Sequence, residues 1–146
     1  MLSKEFTKAL LAVCKELNEN GIEFVVIGSV NSALQGYFEK PKDIDIVVRF
    51  EEVDKALSCL SHFFIEELHT PEKYILRLGV FGVRVEVIGN NNSHSAHAKA
   101  FNARKESSLE GERIFILPLE KSIEFYKETG MTEKAKELKM FVDKNK

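Results

Sequence analysis

Asp43 and Asp45 flank Ile44 in a run of β-branched residues, Ile44-Asp45-Ile46-Val47-Val48. On a strand, residues i and i+2 share a face, so both carboxylates project together while Ile44 and Ile46 turn to the core. Two like charges at about 4 Å repel by roughly 4 kcal/mol at an effective dielectric near 20. A divalent cation between them removes that cost, and an all-oxygen ligand set suits Mg²⁺ or Mn²⁺. Two further features bear on the same chemistry. Gly28-Ser29 directly follows the apolar run Phe24-Val25-Val26-Ile27 and opens a short helical stretch. Glycine permits close backbone approach, and helix-start N–H groups with a serine hydroxyl can hold phosphate oxygens. Glu86 lies in Val83-Arg84-Val85-Glu86-Val87, where alternation sets Glu86 and Arg84 on the face opposite the valines. Taken singly, each feature also fits a bland role: a solvated strand edge, an ordinary helix-opening turn, or a polar outer face.

The elements that must position these residues follow from periodicity. Phe6, Leu10, Val13 and Leu17 form an apolar stripe over residues 2–19, and Asn20-Gly21 stops that helix. The continuous run Phe24–Ile27 reads as a strand buried on both faces. Val30 to Gln35 reads as one or two helical turns closing at Gly36, and Ile44–Val48 as the second strand. Phe50 to Phe63 reads as a helix, with Phe64 and Ile65 opening another short strand. Tyr74–Leu78 and Val83–Ile88 alternate around Gly79-Val80-Phe81-Gly82, which predicts a hairpin. Gly89 to Glu112 is polar and reads as a long loop or irregular helix. After the apolar run Ile114–Leu117 come two helices, the second over Thr132–Asp143 with Thr132 as its N-cap.

The pattern predicts an α/β (α+β) domain spanning residues 1–146, with its core at 22–88 and a helical part at 118–146. The expected sheet is mixed, has about 4–6 strands, and is flanked by helices, one N-terminal and two C-terminal. The 146 residues suffice for a real hydrophobic core. A formal charge of −2 argues against a protein built mainly to grip long nucleic acid and favours a small substrate or a locally basic pocket. Two scattered cysteines, Cys14 and Cys59, form neither a disulfide framework nor a zinc pattern. No apolar run approaches the roughly 20 residues of a membrane span, and the charged N-terminus is not a signal peptide, so a cytoplasmic location is expected. His94 and His97 read as loop histidines rather than ligands, and the mixed Lys/Glu run from Glu120 to Lys146 as solvated helix faces.

Together, Val25-Val26-Ile27-Gly28-Ser29, then Asp43-Ile44-Asp45-Ile46, then Val85-Glu86-Val87 resemble the nucleotidyltransferase superfamily that includes the polymerase-beta-like enzymes. The match spans residues 22–88. The tail, with Leu117-Pro118-Leu119-Glu120 opening a helix and Lys127 beyond it, is similar to the ending of small stand-alone prokaryotic members. The resemblance implies a metal-dependent nucleotidyltransferase that moves a nucleoside monophosphate from an NTP to an acceptor hydroxyl. In that mechanism Asp43 and Asp45 hold one Mg²⁺ or Mn²⁺, and both with Glu86 hold a second. Gly28 and Ser29 cradle the distal phosphates, and Lys42 and Arg84 contact phosphate or acceptor. The third acid is Glu where Asp is common, and no separate acceptor domain is visible. The acceptor class stays open among a protein side chain, an RNA end and a small molecule. A second reading is a non-catalytic nucleotide-binding module acting with a partner protein, as in toxin–antitoxin pairs.

Overall fold

The computed structural model describes residues 2–146, so Met1, the first residue of the expected domain, lies outside them. Helix α1 (Lys4–Glu19) starts where the Ser3 hydroxyl accepts the Phe6 N–H at 3.2 Å. It buries Ala9, Leu10, Val13, Cys14 and Leu17, the stripe expected from its spacing. Strand β1 (Phe24–Ile27) is buried at every position, and helix α2 (Gly28–Leu34) follows without an intervening residue. Strand β2 (Ile44–Val48) and helix α3 (Val53–Leu60) come next, α3 being flanked by 3₁₀ turns at Phe50–Glu52 and Ser61–Phe63. The stretch expected as one helix over 50–63 is therefore three short helical pieces.

Strands β3 (Phe64–His69), β4 (Lys73–Val80) and β5 (Val83–Asn90) form a meander. The expected hairpin is present, with Phe81 and Gly82 at φ 51° and 80° in its two-residue turn. Beyond it lie helix α4 (Ala96–Asn102), strands β6 (Lys105–Leu109) and β7 (Glu112–Ile116), and helices α5 (Leu119–Glu128) and α6 (Thr132–Lys144). The sheet is mixed and seven-stranded in the order β3-β4-β5-β2-β1-β7-β6. That is one strand beyond the expected range, and the added strand is β6, in the segment read as a long loop. A seven-residue helix is too short to show a period, although Ser95 caps α4 by accepting the Ala98 N–H at 3.1 Å. Strand β6 is an almost wholly exposed edge strand, so its Lys-Glu-Ser-Ser carries no hydrophobic alternation. Thr132 does not act as the expected cap: α6 begins at Thr132, and the N-cap Met131 makes no side-chain cap bond.

Both sheet faces are covered in the middle, which is why β1 and β2 read as continuous apolar runs. One face packs Phe24, Val26, Ile44, Ile46, Leu76 and Val85 against α1 and α3. Gly89 belongs to this packing, because a Cβ there would stand 2.6 Å from Val53 and 2.8 Å from the Phe50 backbone. The other face packs Val25, Ile27 and Val47 beneath Ala100 and Phe101 of α4 and beside Leu117. The closing helices α5 and α6 share a small core of Ile123, Tyr126, Ala135 and Leu138. Among the described residues, no helix is long and apolar enough to cross a membrane. Cys14 and Cys59 are free thiols.

Candidate functional site

Strand register brings the acids together. Asp45 pairs with Glu86 across the parallel β2–β5 ladder and with Ile27 across the antiparallel β2–β1 ladder. Glu86, Asp45 and the end of β1 therefore form one row across three adjacent strands. Asp43, two residues before Asp45 at the entrance of β2, joins them on the same face. The carboxylates of Asp43, Asp45 and Glu86 each offer an oxygen lying within 4.8 Å of the others, and all three residues are half-buried. Next to this cluster the chain turns from β1 into α2 at Gly28, whose φ is +76°. A Cβ at Gly28 would lie 3.2 Å from an Asp45 carboxylate oxygen, so glycine answers both the left-handed backbone and the close approach.

Electrostatics mark Asp45 as the strained member. Its carboxyl is pushed up to about 7, first by burial, then by the charges of Asp43 and Glu86 and a shared hydrogen bond with Asp43, with Lys134 opposing. Hard oxygen donors crowded at this range are the ligand set that a small divalent cation satisfies, so the residues fit Mg²⁺ or Mn²⁺.

Asp43 and Asp45 open into a cavity of about 590 Å³ that Gly28, Ser29 and Lys42 also line. Further cations reach it from three elements: Lys40 before β2, Lys73 on β4 and Lys134 on α6. Its apolar wall is made by Ile27, Ile88, Phe125, Tyr126 and Met131. Glu86 stands at the edge of the acid cluster without lining the cavity. Arg84, although on the same face of β5, is exposed, pairs with Gly79 toward the hairpin tip, and also lies outside the lining. The guanidinium opposite Glu86 in the β4–β5 ladder is instead Arg77, which donates to Glu66 at 2.8 Å.

Several lining residues were not picked out from the sequence. His97, expected in a loop, sits on α4 and lines the cavity, edge-to-face with Phe125 at 5.2 Å between ring centroids. Burial, with Lys73 nearby, pushes its imidazole down to about 4. Lys134 lies in the run read as a solvated helix face, yet it lines the cavity, 3.8 Å from Glu39 and above the Tyr126 ring. Tyr126 lies on α5, the first of the two helices expected after Leu117. Its phenol is buried and pushed up to about 12. No sequence signal separates these residues from ordinary surface or core positions, since only the docking of α4 and α5–α6 over the sheet brings them here.

The wall is anchored by a buried amide. Asn31 of α2 is fully buried and donates to the Leu117 carbonyl at 2.9 Å and to Ser122 Oγ at 3.1 Å. Its Oδ1 accepts the Leu117 N–H at 2.9 Å and the Gln35 amide at 3.0 Å. These bonds tie the helix carrying Gly28-Ser29 to the start of α5.

No family model matches the chain, and neither does any curated protein sequence. Solved structures do. A candidate nucleotidyltransferase from Thermotoga maritima superposes with a TM-score of 0.74 at 22% identity, covering 99% of this chain and 96% of that one. The lincosamide antibiotic adenylyltransferase LnuA, solved with lincomycin bound, gives 0.61 at 14% identity over 90% of this chain and 96% of that one. ANT(2")-Ia in complex with adenylyl-2"-tobramycin gives 0.57 at 12% identity over 95% and 97%. The chain has the polymerase-beta-like nucleotidyltransferase fold.

Proposed function

We propose that residues 1–146 act as one domain, a metal-dependent nucleotidyltransferase that moves a nucleoside monophosphate from an NTP to an acceptor hydroxyl. The observation that carries this reading is the convergence of Asp43, Asp45 and Glu86 from two paired strands, with oxygens within 4.8 Å, beside a glycine turn and a cation-lined cavity. Asp43 and Asp45 would hold the Mg²⁺ or Mn²⁺ that accompanies the nucleotide, and the same pair with Glu86 a second ion. Bound there, such ions stabilise charge on the attacking and leaving oxygens of an in-line displacement.

The chain's own groups supply the rest. Gly28 lets the backbone come close to the distal phosphates, and the Ser29 hydroxyl donates to them. Lys42, exposed at the cavity mouth, offsets phosphate charge. Glu86, paired beside Asp45 and outside the cavity lining, can take the acceptor's hydroxyl proton. Arg84, on the same strand face but outside the cavity, suits contact with the acceptor rather than with the nucleotide. The acceptor is a protein side chain, an RNA end or a small molecule, and the setting is cytoplasmic.

The two antibiotic adenylyltransferases support turnover over a passive binding role. The shared fold spans 96% and 97% of those two chains. Incubation with labelled NTPs, Mn²⁺ and cell extract tests the proposal. Label should reach an acceptor with the native chain and be lost with Asp43→Asn and with Asp45→Asn. Metal-dependent NTP binding without transfer to any acceptor would support the nucleotide-binding module working with a partner protein instead.

A further inference from the structure

The cavity has two chemically different ends. At one, Gly28, Ser29, Asp43 and Asp45 gather hydrogen-bond donors and cation-binding oxygens. At the other, Ile88 and Phe125 make an apolar wall beside the His97 ring, with Lys73 also in the lining. The sheet spaces these ends. Ile88 lies two residues beyond Glu86 on β5 and pairs with Val47, two residues beyond Asp45 on β2. Two strand residues span roughly 6.5 Å, and His97 reaches this end from α4 above the sheet.

Resting on the nucleotidyltransferase reading, we propose that His97 and Phe125 form the nucleobase subsite, with His97 hydrogen-bonding the base edge and Phe125 packing against its plane. An extended nucleotide with its phosphates at Gly28-Ser29 must carry its base away from the acids, and this is the apolar end that the same cavity offers. The His97 ring is held edge-to-face on Phe125 at 5.2 Å, which fixes its orientation. Burial and the charge of Lys73 act on the ring. Neutral at physiological pH, it presents one N–H donor and one nitrogen acceptor, the pairing that a nucleobase edge displays. Lys73 on β4 and Phe125 on α5 are the neighbours that set its environment.

Binding of two probes separates this subsite from the phosphate end. Each of ATP, GTP, CTP and UTP, and inorganic tripolyphosphate, is titrated with Mn²⁺ into the native chain and into His97→Ala, His97→Gln and Phe125→Leu. The native chain should bind at least one NTP about tenfold more tightly than tripolyphosphate, the scale of one or two hydrogen bonds plus stacking. His97→Ala should lose about that factor for the NTP and leave tripolyphosphate unchanged, with His97→Gln recovering part of the loss. Phe125→Leu should likewise weaken only the nucleotide. If native NTP binding is intact and His97→Ala and Phe125→Leu do not change it, the base subsite is overturned while the nucleotidyltransferase reading stands. Equal loss of both probes also overturns it, because the residues would then only shape the cavity. If the native chain binds neither probe, the underlying reading fails and the subsite with it.

Discussion

Replacing Asp45 by asparagine keeps the shape of the side chain and removes one charge from the most crowded point of the molecule. In the metal-free chain Asp45 has its carboxyl raised from 3.8 to about 7 by burial and by Asp43 and Glu86. A raised acid is an unfavourable one. Between these two values the folded chain holds a proton that the unfolded chain has released, so stability falls as pH rises from about 4 and levels off above about 7. Each pKa unit corresponds to about 1.4 kcal/mol, which sets a ceiling on the order of 4 kcal/mol. Partial exposure screens this to roughly 2 kcal/mol. The asparagine side chain carries no such penalty, and its amide can donate to Asp43. In EDTA at pH 8, Asp45→Asn should therefore melt higher than the native chain by roughly 6 °C, with the gap closing toward pH 5. Saturating Mn²⁺ should reverse the order. At about 100 times its Kd the ion adds roughly 2.7 kcal/mol to the native chain and little to the variant. Thermal denaturation at two pH values with and without Mn²⁺ reads all four states. A variant that melts lower than the native chain in EDTA at pH 8, or that responds equally to Mn²⁺, would mean that Asp45 is neither the crowded acid nor a metal ligand.

Three other outcomes are expected. Mn²⁺ affinity, measured by calorimetry, should fall as pH drops below about 7, approaching tenfold per pH unit, because a proton on Asp45 competes with the ion. Gly28→Ala should lower stability by about 1–2 kcal/mol from the left-handed backbone alone. It should also weaken Mn²⁺ binding, since the new methyl would press on Asp45. Asn31→Ala should cost about 2–3 kcal/mol in denaturant unfolding, because it strands the buried Leu117 N–H and removes one bond from the Leu117 carbonyl, which keeps the Gln35 amide. A loss below about 1 kcal/mol would mean that the amide network does not anchor α5.

Much of the sheet centre was legible because its residues report their own surroundings. Phe24–Ile27 is apolar throughout and is buried on both faces, and Ile44 and Ile46 alternate with Asp45 as a strand requires. The Asp43, Asp45 and Glu86 faces followed from strand alternation alone. What pairing and docking decide was not legible. Nothing local says that Glu86 stands beside Asp45, which depends on β5 joining β2 in parallel with that register. Nor could His97 or Lys134 be singled out, because each becomes a cavity residue only when its helix packs over the sheet. Strand β6 was missed for the opposite reason: it is exposed along almost its whole length and carries no apolar code. Asn31 looked like an ordinary helix residue, and its four hydrogen bonds reach mainly to a segment 86 to 91 residues away.

In the proposed reaction Asp43, Asp45 and Glu86 work together on a metal-bound nucleotide. Transfer of labelled nucleoside monophosphate from an NTP in Mn²⁺ to any acceptor, compared between the native chain and Asp43→Asn, Asp45→Asn and Glu86→Gln, tests it most directly. Label is expected with the native chain, with a loss of at least about a hundredfold in each variant and no loss of fold. Transfer that persists unchanged in the three variants would contradict it.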